Sequence, residues 1–234
     1  MKLWTACLLL LFCNQSAHAI VGKVTEQLNA VASITREKAT LSAPKGTGVE
    51  MNDAVKTGQG KIGITFEDDT KVQITENSKL VIDDFVYDPK SKSGSKLAVK
   101  VALGTVRYAS GQIAKSNPQN VAVTTPTATI GVRGTDFTAT VDEVGASTII
   151  LLPSCPDGYR NKITFDIEKD CKTGQIIVET DVGQVILNQP FQATKACLPA
   201  ATATPVVGPV TPLIVTVESD WLSMMYALEL FGAR

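Results

Sequence analysis

The feature that most limits the fold is a rhythm. Between residues 20 and 190, short runs of alternating apolar and polar residues recur at intervals of about ten, separated by turn-forming residues. The clearest case is Lys61-Ile62-Gly63-Ile64-Thr65-Phe66, then Glu67-Asp68-Asp69-Thr70, then Lys71-Val72-Gln73-Ile74-Thr75. Ile62, Ile64 and Phe66 share one face, and Val72 and Ile74 can pair with them, because successive strand side chains point to opposite faces. Asp68-Asp69 predicts the turn, since Asp tolerates left-handed backbone, and this acidic tip is expected to be solvated. Leu80-Val81-Ile82 and Phe85-Val86-Tyr87 read as strands. A polar loop from Asp88 to Lys96 follows, and Leu97 to Tyr108 reads as further strands with a break at Gly104. No helical period of useful length precedes residue 213. The chain is therefore predicted to be all-β. Short, mainly antiparallel strands form one domain, a sandwich or a solenoid-like β roll, with one C-terminal helix added.

The two ends of the sequence suggest where such a domain works. Lys2, the apolar run Leu3 to Phe12 and the small-x-small site Ala17-His18-Ala19 have the layout of a secretory signal peptide, residues 1–19, cleaved near Ala19. The apolar run is shorter than the ~20 residues a membrane-spanning helix needs. Export to the periplasm or beyond is the expectation, with no transmembrane segment. Cleavage would remove the one His, His18, together with Cys7 and Cys13. A chain without His has no Ser-His-Asp or Cys-His mechanism and lacks the commonest zinc and copper ligand. The formal net charge is −1. That offers no basic surplus for neutralising phosphate, so nucleic acid is not an expected partner. No cofactor or metal site is expected either. The acidic groups Glu67-Asp68-Asp69 and Asp83-Asp84 lack the spacing of a calcium loop. Cys155, Cys171 and Cys197 would remain. Outside the cytoplasm thiols tend to pair, and an odd number leaves one over.

Residues 125–137 read T-P-T-A-T-I-G-V-R-G-T-D-F. Thr125-Pro126 ends a strand, because proline donates no ladder hydrogen bond and biases its neighbour to extended backbone. Ala128, Ile130 and Val132 then take one face, and Thr127, Thr129, Gly131 and Arg133 the other. Gly134 permits a left-handed or close-packed corner. Thr135 and Asp136 follow, and Phe137, Ala139 and Val141 begin a new inward series. Arg133 is expected to donate to backbone carbonyls across the corner and Asp136 to cap free amides.

This stretch, from Val123 to Phe137, resembles the most recognisable motif of the FecR-type domain of bacterial envelope proteins. Val49 to Gly58, Ile64 to Thr70 and Ser78 to Ile82 resemble further parts of that family, in order, and Val178 to Thr194 resembles its closing strands. The resemblance implies a FecR-like β domain over residues 20–197. Its family-motif residues are Thr125, Pro126, Gly131, Arg133, Gly134, Thr135, Asp136 and Phe137. Asp69 stands where the family favours glycine. Cys155 to Cys171 brackets sequence that looks like an insertion, and these two cysteines are expected to form a disulfide. Cys197 is then the odd thiol, able to join two copies into a dimer. FecR-type iron-uptake regulators carry a cytoplasmic sigma-factor-binding segment and a membrane helix before the domain; the expectation here is a cleaved signal peptide in their place.

Residues 198–212 form a Pro-rich linker. Residues 213–234 are expected to form an apolar helix, with Trp221, Leu222, Met225, Leu228 and Phe231 as a candidate interface. A helix apolar nearly all round must be covered, by a partner or by its own domain. The expected function is an exported, non-catalytic interaction module, for signalling or scaffolding, whose partner is another envelope protein. The alternative is a glycan or peptidoglycan binder, with Tyr87, Tyr108 and Tyr159 as stacking residues.

Overall fold

The computed structural model describes residues 19–90, 94–155 and 166–197. Most of the expected signal peptide, the linker and the C-terminal helix lie outside the described residues, as does Tyr159. Sixteen strands and two short helices make up the rest. In chain order they are β1 (Ile20–Leu28), β2 (Ala32–Arg36), β3 (Ala39–Ser42), β4 (Gly48–Glu50), β5 (Ala54–Thr57), β6 (Lys61–Phe66), β7 (Lys71–Ile74), β8 (Lys79–Val86) and β9 (Lys96–Ala109). Helix α1 (Gln112–Ser116) and a 3-10 turn (Pro118–Asn120) precede β10 (Val121–Thr124), β11 (Thr129–Arg133), β12 (Asp136–Val141) and β13 (Ser147–Leu152). Helix α2 (Ile167–Asp170), β14 (Gln175–Thr180), β15 (Gly183–Leu187) and β16 (Ala193–Ala196) complete it.

The strands form two layers that share β9. One layer runs β4-β1-β6-β7-β9-β12-β13-β16, all antiparallel. The other runs β3-β2-β5-β8-β9-β10-β11-β14-β15 and contains one parallel pair, β9 with β10. The core lies between them, where Phe66 of β6 stacks on Phe85 of β8 with ring centroids 5.6 Å apart. Ile62, Ile64, Ile74, Ile82, Leu97 and Ile130 are fully buried there.

The predicted hairpin forms, with Ile62 opposite Ile74 and Ile64 opposite Val72. Two details differ from the sequence expectation. Leu80–Ile82 and Phe85–Val86 belong to one strand, with a bulge between Ile82 and Asp84. Leu97 to Tyr108 is likewise one strand. Gly104 marks the point where β9 leaves one layer for the other, with φ +79 and room for no side chain, since a Cβ would stand 2.1 Å from Ser78 Oγ. Among the described residues, no helix is long and apolar enough to cross a membrane.

Candidate functional site

The family-motif residues lie along β11 and at its two ends. At the Gly134 end, β11 turns into β12 through a glycine with φ +63, the left-handed backbone that the motif's spacing implies. Nothing stands within 4 Å of a Cβ built there, so the constraint is conformational rather than steric. Ser110 holds the corner from β9's exit. Its hydroxyl donates to the Thr135 carbonyl at 2.6 Å and accepts from the Thr135 N–H at 2.9 Å. Thr135, fully buried, donates to the Leu152 carbonyl and accepts from the Gly174 N–H, both at 3.3 Å.

Among the described residues, Asp136 caps no amide. Its carboxylate accepts from Ser154 Oγ at 2.9 Å and from Arg107 Nη2 at 3.3 Å. Burial pushes its pKa above the ordinary value, against the opposing pull of Ser154 and Arg107. Arg133 is also not bonded across the corner: it is exposed, with no hydrogen bond or ion pair among the described residues. The expectation failed for both because an alternating strand turns Arg133 away from the protein, while Asp136 meets long-range side chains that no local pattern reports.

The two ends of the insertion meet beside this corner. Cys155 and Cys171 are disulfide-bonded as expected, and Ser154 and Lys172 form a β-bridge just inside the bond. The same Ser154 donates to Asp136, so the base of the bracketed segment is tied to the motif. Cys197 is a free, exposed thiol after β16.

The acidic hairpin tip reaches the same end of the molecule, and here the structure corrects the sequence reading. Asp69 takes the left-handed turn with φ 65. Asp68, expected in solvent, is fully buried. Its carboxylate accepts from the Thr70 N–H and hydroxyl at 3.0 and 2.8 Å, and from the Ile113 N–H of α1 at 3.1 Å. Its carbonyl accepts from the Gln112 N–H at 2.7 Å. Asp68 thus caps a helix 45 residues away, whose own N-cap, Gly111, offers no side chain. Ile113 and Ala114 of that helix plug the end of the core.

At the other end of β11 the Thr125-Pro126-Thr127 turn is closed by hydroxyls. Thr125 Oγ1 accepts from the Ala128 N–H at 3.0 Å and from Ser147 Oγ at 2.8 Å. Thr127 Oγ1 and Ser147 Oγ share a 2.6 Å hydrogen bond, and Thr127 Oγ1 also lies 3.2 Å from the Ala196 carbonyl. Along β11, Ile130 and Val132 are buried and Gly131 faces outward. Phe137, beyond the corner, stacks on Tyr108 at 5.2 Å.

Sequence reasoning missed a second buried charge cluster. Arg36 donates to both carboxylate oxygens of Asp53, at 2.9 and 2.8 Å, and also to Glu50. The hydrogen bonds to Asp53 lead in raising the Arg36 pKa. The one available signal was an Asp within the family-like turn Val49 to Gly58. No group of three or more His, Cys, Asp or Glu able to hold a metal occurs among the described residues. Of the sugar-stacking candidates, Tyr108 is buried and Tyr87 packs on Phe85 at 6.4 Å. The Trp221 to Phe231 interface lies outside the described residues.

No curated protein matches the chain. Two crystal structures of a candidate anti-sigma factor from Parabacteroides distasonis are similar to it, each with 14% identity and a TM-score of 0.46. They cover 75% of this chain, which spans 64% and 63% of theirs, less than two thirds of that protein. Residues 53–152 match the family described as FecR protein. That span begins at the buried Asp53 and ends at Leu152 of β13, so both ends of β11 lie inside the part of the chain that is similar to FecR proteins.

Proposed function

We propose that this protein is an exported, non-catalytic FecR-domain module that binds another protein of the bacterial envelope, in a signalling or scaffolding role. The observation that carries this reading is how the polar groups are used. The buried carboxylates of Asp68, Asp136 and Asp53 are all hydrogen-bonded inside the domain, whereas Arg133, in the motif, is exposed and unpartnered among the described residues. Acids engaged in this way fix backbone. An exposed, unengaged guanidinium suits bidentate recognition of a partner's carboxylate. The Cys155–Cys171 disulfide fits an oxidising compartment. Tyr108 and Tyr87 have their rings packed internally, which leaves the glycan alternative few stacking surfaces. Cross-linking in intact envelopes tests the reading. A discrete protein adduct that Arg133→Glu weakens, with an unchanged melting temperature, supports it. Retention on purified sacculi, with no protein adduct, would replace it with the glycan reading.

A further inference from the structure

Among the described residues, the outer face of the second layer is left partly exposed over β9, β10, β11, β14 and β15. Ala98, Ala122, Gly131, Ile177 and Ile186 stand in cross-strand register on β9, β10, β11, β14 and β15. Ile186 is 48% exposed. Gly131 is notable for what does not require it. Its φ is not in the left-handed range, and a Cβ there would come no nearer than 3.9 Å to any atom. A strand glycine costs ~0.5–1 kcal/mol relative to alanine, and where the fold has room for a side chain it marks a place for close approach by another element. On this face Asp84 of β8, opposite Ala98, is ion-paired with Lys96, and Glu179 of β14 is exposed two residues from Ile177. Three lysines are exposed on β9, β8 and β5: Lys100, two residues from Ala98, and Lys79 and Lys56, further off, with Lys79 opposite Leu103. Lys56 and Lys79 face each other directly, an unfavourable like-charge pair. None of the three has an ion-pair partner among the described residues.

We infer that residues 213–234 of the same chain fold back onto this face. The end of β16 leads there: the Ala196 carbonyl lies 3.2 Å from Thr127 Oγ1, two residues before β11 begins. The fifteen residues 198–212, at ~3.1 Å each in an extended Pro-rich segment, reach about 47 Å. That is ample for a face whose nearest strand is adjacent. The strip crosses five strands, about 19 Å at ~4.8 Å spacing. The apolar stretch from Glu218 to Phe231 would span about 21 Å as a helix. The charges are compatible: residues 213–234 contain Glu218, Asp220 and Glu229 against one cation, Arg234, and Lys100 beside the strip has no ion-pair partner among the described residues.

The test reads Trp221 in the full-length chain carrying Trp4→Phe, which leaves Trp221 as its one tryptophan. Its emission should be blue-shifted relative to the urea-unfolded chain and shielded from acrylamide, at concentrations where light scattering shows a monomer. Ala122→Glu should shift the emission to the red and raise the quenching constant severalfold. Lys100→Glu, at an exposed site that cannot disturb the core, should do so to a lesser degree. A solvent-like Trp221 in the unmutated face overturns the inference. So does shielding that both variants leave intact. Shielding that disappears on dilution together with an oligomer overturns it too, since the occupant is then a second copy.

Discussion

At the Thr125 end of β11 the side chains that close the turn are neutral hydroxyls; at the Gly134 end the hydroxyls of Ser110 and Thr135 are joined by a left-handed glycine, the buried carboxylates of Asp136 and Asp68, and a disulfide-tied base. The two ends belong to one short strand, Thr129–Arg133, and hold the same two layers together. They differ in what they cost to break. A hydroxyl shared among several partners leaves modest debts when lost, because neutral groups lose little on desolvation. A buried carboxylate organises several N–H donors at once, and its removal strands them all. The charged end therefore carries more of the domain's vulnerability. It also holds the exposed Arg133, on which the proposed partner contact rests.

Asp68→Ala should break that contrast most severely. It leaves the Thr70 N–H, the Thr70 hydroxyl and the Ile113 N–H without their acceptor in a buried setting, for a loss of roughly 3–5 kcal/mol. Urea unfolding followed by circular dichroism measures it. A loss under ~1 kcal/mol would mean that α1 is capped by other means.

The glycines of the motif come next, and they should move in opposite directions. Gly134→Val forces a β-branched residue into φ +63 and should lose about 1–3 kcal/mol. Gly131→Ala enters ordinary backbone with open space and should gain up to ~1 kcal/mol in the isolated domain. Thermal melts of the two variants compare them directly; equal shifts would erase the distinction between conformational and reserved glycines.

Thr127→Val probes the hydroxyl end at nearly constant shape. The lost bonds to Ser147, Gly145 and Ala196 should cost about 1 kcal/mol, and that cost should be the same at pH 5 and pH 8. A loss that varied with pH would show that the turn is coupled to a titrating group.

What could be read in advance follows from range. The β6–β7 hairpin and the inward faces of β11 and β12 depend on period and local turn chemistry, which a sequence displays, and the Cys155–Cys171 pair shows as the bracket of an insertion in a family-like frame. Asp68 does not. An acid at a hairpin tip has the same local signature whether its carboxylate meets water or a helix 45 residues further on. Arg36 and Asp53 are 17 residues apart, and Ser154 reaches Asp136 over 18. No short-range pattern encodes such pairings. The sharing of β9 by two layers escaped for a related reason: one alternating strand looks the same whichever neighbours it has on either side of Gly104.

The smallest expected effect is the pH dependence that Asp136 brings to the charged end. Burial raises the Asp136 pKa above its ordinary 3.8, despite the hydrogen bond from Ser154 and the charge of Arg107. With the folded value raised, the unfolded chain gives up this proton first as pH increases. The group's contribution to stability is therefore complete below pH 3.8 and is lost as pH rises through the folded value. Asp136→Asn removes this titration while keeping an oxygen for Ser154 Oγ to donate to. The variant should therefore gain on the parent as pH rises from 4 towards 7, even if the weakened contact with Arg107 makes it less stable at the acid end. Melting temperatures of both proteins across that range measure the difference. A gap between them that stays constant, or that widens in the parent's favour as pH rises, would mean that Arg107 and Ser154 outweigh burial and that Asp136 is held as a stabilised carboxylate.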